Sequence, residues 1–488
     1  MRLKHYLLAA LTAMSTLPQA STGQTFQNLS GASGTLNPGL FSTNLAWGDY
    51  DSDGDLDLYV TNWGTSVSNP INALFQNQGD GSFIDQATNA GVADNRNSTS
   101  AAWADYDNDG DTDLYVTSFF NEQDHLYSNN GDGTFTEVGR ARGLINLERR
   151  GSVTSVAWGD YNGDGHIDLY LTKFYFDNAL YHNNGDGTFS PVTDLGLGDA
   201  RDTNAALWAD YDNDGDADLY SINREQENQF FRNDLNTAGT FSEVSAALGV
   251  ANNEIGQNGT WADYDNDGDL DLYLANIGAN ALYRNDDNGT SFVDVADEAG
   301  VRIDTGGWLA AMADWADYDG DGFLDLYLAT GADRQGHRDI LYASNGDGTF
   351  RNATAAANLP TGGSVHFSAR WGDYDGNGAP DLYMTDGFGS GNLLFQNETP
   401  GSRFIKIQVQ GKGGQLGGAN ASGIGAHVTL IDSNDQLVAY RQVTDIAGLS
   451  FGVQESQAYR IEVRFPGSSS VVTLSGLQGG DQRTVVEP

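Results

Sequence analysis

One thirteen-residue phrase occurs seven times in this chain, and that repetition constrains the fold more than any other feature. It begins at Trp47 (WGDYDSDGDLDLY), Trp103 (WADYDNDGDTDLY), Trp158 (WGDYNGDGHIDLY), Trp208, Trp261, Trp315 and Trp371 (WGDYDGNGAPDLY), at spacings of 56, 55, 50, 53, 54 and 56 residues. A period this regular marks one supersecondary unit repeated in space. Within each unit the apolar residues alternate with period two, which excludes a helical solenoid. Four strands fit each period: the residues leading into the Trp, an LDLYVT-type run, a run such as DHLYSNN (124–130) and one such as TFTEV (134–138). Asn-Gly and Asp-Gly between the last two are tight-hairpin chemistry. The reading is an all-β chain built as a seven-bladed β-propeller over residues 24–398.

The two ends of the array bear on this reading. TFQNLSGASG (25–34) matches the fourth-strand phrase TFTEVGRARG (134–143), while the seventh copy stops after its third strand at Asn397. The N-terminal strand is therefore expected to complete blade seven, which removes the open edges of the array. The repeated Trp and Tyr read as core residues that pack blade on blade. From Thr399 the repeats end, and the alternating runs FIKIQVQ (404–410), AHVTLI (426–431), LVAYRQV (437–443), YRIEVRF (459–465) and VVTL (471–474) predict a small β-sandwich over 399–488.

Each phrase also contains D-x-[DN]-x-[DN]-G-x-x-D, with side-chain oxygens at loop positions one, three, five and nine. These are Asp49, Asp51, Asp53 and Asp57 in the first copy, and Asp105, Asp107, Asp109 and Asp113 in the second. The third has Asp160, Asn162, Asp164 and Asp168; the fourth, Asp210, Asp212, Asp214 and Asp218. Asp263, Asp265, Asp267 and Asp271, then Asp317, Asp319, Asp321 and Asp325, then Asp373, Asp375, Asn377 and Asp381 complete the series. Calcium takes six to eight oxygen ligands, and alternate carboxylates around a Gly turn with a backbone carbonyl at position seven supply them. The last acid stands at position nine instead of twelve, so the loop is not an EF-hand and suits a hairpin. Two like charges about 4 Å apart repel by roughly 4 kcal/mol at an effective dielectric near 20, so acidic solvated turns of this density are strained without a cation. Magnesium prefers fewer carboxylates and retained water. About seven calcium ions per chain are expected.

Composition narrows the function. The formal net charge is -43 at pH 7, yet 39% of residues are hydrophobic, so this is a folded acidic protein and not an acidic tail. Such a surface repels nucleic acid and anionic membrane. Arg2 and Lys4 precede an apolar run between positions 7 and 17 and then small residues, the layout of a signal peptide over 1–22. No later stretch reaches the roughly 20 apolar residues that spanning a bilayer needs, so no membrane insertion is expected. The expected place is extracellular: secreted, on the cell surface or periplasmic. The chain has no cysteine, so disulfides do not stiffen it. Signatures of nucleophilic, zinc-dependent and phosphate-binding enzymes are absent, and the mature-chain histidines are scattered.

The calcium loops resemble FG-GAP/VCBS repeats, the blades of the integrin alpha propeller. The whole arrangement, with GIGAHV (423–428), FGV (451–453) and IEVRFPG (461–467) in the tail, resembles the cartilage acidic protein family with its C-terminal ASPIC/UnbV domain. The stretch between Val443 and Phe451 is shorter than that family's Gly-rich segment. The resemblance implies extracellular calcium binding and interaction with matrix or receptors, and it puts the metal hairpins on one face. The opposite face then gathers Arg149, Arg150, Lys173, Tyr175, Arg224, Arg334, His337 and Arg338, a candidate ligand face for an extracellular glycan or protein. Binding or adhesion is the leading reading. The alternative is an extracellular enzyme acting on polysaccharide or a small metabolite at a propeller face.

Overall fold

The computed structural model describes residues 26–64, 70–119, 122–144, 152–198, 201–286, 288–303, 312–330, 338–361, 365–414, 418–468 and 471–488, so the signal-like segment lies outside it. The second strand of each repeat, such as Asp57–Trp63 (DLYVTNW), is buried almost throughout, as a central strand requires. It pairs antiparallel with Phe41–Gly48 on one side and Ala73–Asn77 on the other, and Phe83–Asp85 completes the sheet.

Six sheets take their four strands in chain order. The seventh draws on both ends of the array: Phe26–Asn28 pairs antiparallel with Leu393–Asn397, beside Asp381–Asp386 and His366–Gly372. The innermost strands touch in a cycle, Phe41–Gly48 meeting both Ser98–Ala104 and His366–Gly372, so the seven sheets close into a propeller.

The repeated aromatics hold neighbouring blades together. Trp103 meets Tyr59 of the preceding blade edge-on at 6.1 Å, and the same pairing recurs around the ring to Trp47 on Tyr383 at 6.0 Å, where the last blade meets the first. The buried Tyr59 hydroxyl donates to the Val92 carbonyl at 2.9 Å. A second lock is polar. The Asn that ends the third strand donates to the carbonyl of the loop Tyr in the preceding blade, as from Asn129 to Tyr50 and, across the closure, from Asn77 to Tyr374, both at 2.7 Å. Blade six has Ser344 at this position.

Residues 399–488 form two sheets. One places Phe404–Gln410 between Leu449–Gly452 and Gln482–Val486; the other orders Leu437–Gln442, His427–Asp432, Tyr459–Arg464 and Val471–Leu477. Ile405, Ile407 and Phe451 of the first share one core with Val428, Leu430, Ile461 and Val463 of the second. Among the described residues, no helix is long and apolar enough to cross a membrane.

Candidate metal loops and the two ends of the ring

Each loop joins the innermost strand of a blade to the second, and its backbone explains its composition. Position four is left-handed, with Asn108 at φ 56° and Gly163 at φ 71°, and position six is Gly throughout, as Gly54 at φ 97°. In all seven loops the N–H of that Gly donates to Oδ2 of the first aspartate, at 2.8–3.2 Å. The ninth-position aspartate is the bracket of the hairpin. Its Oδ2 accepts from the N–H of the loop Tyr at 3.0–3.4 Å. Its Oδ1 accepts from the N–H of the Asn at or next to the end of the third strand, or of Ser344 in blade six, at 2.6–2.8 Å.

These frames bring carboxylate oxygens together. Asp49, Asp51 and Asp53 offer oxygens within 4.8 Å of one another, as do Asp105, Asp107 and Asp113, Asp210, Asp212 and Asp218, Asp263, Asp265 and Asp271, and Asp317, Asp319 and Asp325. Burial, which disfavours the charged form, pushes Asp57 up to about 8 and Asp105, Asp210 and Asp263 up to about 7, and neighbouring aspartates add to the shift. At the third position, Oδ1 of Asp51, Asp212, Asp265 and Asp319 is buried with no hydrogen-bond donor among the described residues. Buried oxygens repeated in register without donors are what a cation's ligands look like. The third loop differs: Asn162 stands at that position and its amide donates to Asp164 at 2.9 Å, while His182 pairs with Asp168 at 3.2 Å. In the seventh, Asn377 donates to Asp375 at 3.0 Å.

The 399–488 unit sits on this loop face. Lys406 pairs with Asp373 at 2.7 Å, and Arg464 with Asp210 at 3.2 Å. Arg441 is buried, and its charge is felt by Asp263 and Asp317. Ser422 Oγ accepts from Asp105 N–H at 2.9 Å, Gly414 N–H donates to the Gly165 carbonyl at 2.9 Å, and Gln482 donates to the Gly376 carbonyl at 2.8 Å. A cavity of about 590 Å³ lies beneath, ringed by Trp47, Trp103, Trp158, Trp208, Trp261 and Trp371 and covered by residues that include Thr444, Asp445 and Ile446.

A second cavity, of about 560 Å³, opens at the other end of the ring and meets the first at Asn44, Ser155 and Asn258. Its wall is aromatic: Trp63 lies 4.9 Å from Phe119, Phe119 5.9 Å from Phe174, and the Arg224 guanidinium 5.3 Å over Phe174. Trp63, Phe119, Phe174 and Arg224 each stand six residues after the ninth-position aspartate of their blade, and Ile277 follows in the fifth. Of the residues proposed from sequence for this face, Arg224 lines the cavity, Tyr175 is 75% exposed next to Phe174, Lys173 lies within the field of Asp124, and Arg338 is exposed. Arg149, Arg150, Arg334 and His337 lie outside the described residues. Counting from the ninth-position aspartate finds the aromatic wall; the scarce positive charge marks only its Phe174 and Arg224 end, through Lys173 and Arg224 themselves.

A closed ring of four-stranded sheets with an aspartate-rich hairpin on every blade defines a β-propeller of the repeat-loop class. The chain belongs to the family of FG-GAP-like repeat proteins, whose model matches residues 49–116, 112–171, 175–221, 210–274, 263–328 and 317–384. Among solved structures it is similar to YCF48 bound to D1 peptide, at 12% identity and TM-score 0.46 over 77% of this chain and 98% of that one. It is also similar to BBS1N in complex with ARL6DN, at 9% and 0.47 over 78% and 99%, and to PorZ of Porphyromonas gingivalis, at 13% and 0.45 over 87% and 58%. No curated protein matches the chain.

Proposed function

We propose that this chain is an exported, calcium-loaded propeller that binds an extracellular partner. The observation that carries the metal is the buried, donorless Oδ1 repeated at Asp51, Asp212, Asp265 and Asp319. In each loop the aspartates at positions one, three, five and nine would hold the ion, with Asn162 and Asn377 as neutral substitutes. Bound calcium would neutralise carboxylates that the fold brings together and stiffen a chain without disulfides. The likeness of 399–488 to an ASPIC/UnbV domain, and of 1–22 to a signal peptide, supports a place outside the cell. Because 399–488 covers the loop face, the partner meets the opposite one.

Elemental analysis of the purified protein in millimolar calcium tests this reading. About seven ions per chain are expected, and two or fewer would overturn it. Asp263→Ala is expected to lose one ion and keep the others.

A further inference from the structure

We infer that the cavity opposite the metal loops is a saccharide site, built to take a neutral hexose ring or a short run of them. This rests on the binding-propeller reading above and names the ligand class.

Three observations converge on that chemistry. First, the wall is a row of rings, Trp63 to Phe119 to Phe174, continued on the Trp63 side by its cross-strand partner Phe41 and by Phe388, which lie 6.1 Å apart. Aromatic faces pair well with the C–H faces of pyranose rings, and about 560 Å³ lies within the range of small-ligand sites. Second, the floor holds amides with capacity to spare. Neither the Asn44 nor the Gln257 side chain hydrogen-bonds to any described residue, and Asn258 uses only its oxygen, accepting from Gly259 N–H at 2.6 Å. A β-bulge in the innermost strand, between Ser42 and Asn44 in the first blade and Gly256 and Asn258 in the fifth, shifts the register where these residues line the cavity. Third, no carboxylate lines the cavity among the described residues, although the chain has 67 Asp and Glu.

These features separate the alternatives. An apolar side chain or lipid tail would strip water from the three amides and leave them without partners, which is costly. Among the described residues that line the cavity, a polyanion would find one guanidinium, Arg224, already laid over Phe174. A sugar satisfies both halves of the site, since hydroxyls donate to and accept from amides while the ring faces cover the aromatics.

The test is native gel electrophoresis of the full chain through gels containing barley β-glucan, xyloglucan, galactomannan, xylan or dextran, with polygalacturonate as the anionic arm. Retardation by at least one neutral polymer is expected. Trp63→Ala and Gln257→Ala should each weaken it at least tenfold, with unchanged calcium content and melting temperature. Gln257→Ala removes no hydrogen bond to a described residue, so it keeps the test open should Trp63→Ala fold poorly. The inference is overturned if no neutral polymer retards the protein, if Gln257→Ala migrates like the parent, or if polygalacturonate retards it more than every neutral polymer. Elemental analysis of the same sample separates the two readings. About seven calcium ions without retardation sinks the saccharide site alone, whereas retardation with two ions or fewer sinks the calcium reading alone.

Discussion

Two aspartates six positions apart in the fifth loop have different hydrogen-bond surroundings. Asp271 is 1% exposed and accepts from the N–H groups of Tyr264 at 3.1 Å and Asn285 at 2.8 Å. Asp265 has a buried Oδ1 with no donor among the described residues. Removing the first strands two buried donors, each costing about 1–3 kcal/mol. In calcium-free buffer Asp271→Ala is therefore expected to lower unfolding stability by roughly 2–6 kcal/mol. Asp265→Ala removes a half-buried carboxylate whose Oδ1 has no donor and should cost that stability less than Asp271→Ala does, while losing one bound ion. Urea titration of both variants distinguishes the roles, and equal destabilisation would contradict them. Sequence placed both residues in the loop. It could not show which of them braces the hairpin, because that depends on the N–H groups a third strand brings alongside.

At the scale of elements, the closure of blade seven was legible because the N-terminal segment repeats the fourth-strand phrase. Phe26 is fully buried, with its ring 5.9 Å from both Tyr318 and Trp371. Its truncation opens a cavity at the seam of the ring, so Phe26→Ala should destabilise the propeller by about 3–5 kcal/mol. Thermal melting in calcium tests this, and a melting temperature equal to the parent's would show that the seam is not a structural joint. Other elements escaped the sequence reading. Leu449–Gly452 carries a Gly in a short run, and Gln482–Val486 pairs in parallel with Phe404–Gln410, its counterpart near the start of the same unit. Parallel pairing leaves no turn signal between partners, so only the folded chain reveals it.

For the whole molecule, the raised carboxyls make stability depend on pH, and under the proposed calcium binding on calcium as well. Their folded values, about 8 for Asp57 and about 7 for Asp105, Asp210 and Asp263, exceed the ordinary value of 3.8. The metal-free fold thus holds more protons than the unfolded chain between those values. Their contribution is complete below about pH 4 and is lost as pH rises through 7 to 8. On the proposed reading, calcium would take the place of those protons. The rise in melting temperature on adding calcium should therefore be larger at pH 8 than at pH 5.5, as scanning calorimetry would measure, and equal increments would contradict the burial of these groups.

The sequence alone determined the ring and the register of its loop oxygens. A thirteen-residue period repeated seven times, with turn residues and oxygen positions in fixed register, admits one kind of packed unit and one kind of loop, because both depend on neighbours close in the chain. What covers each end of the ring was decided only by tertiary structure. Lys406, Arg441 and Arg464 lie far in sequence from Asp373, Asp263, Asp317 and Asp210, and nothing local marks them as the surface that seats 399–488 on the loops. Likewise Trp63, Phe119 and Phe174 look like ordinary strand ends until closure of the ring sets them side by side around one axis.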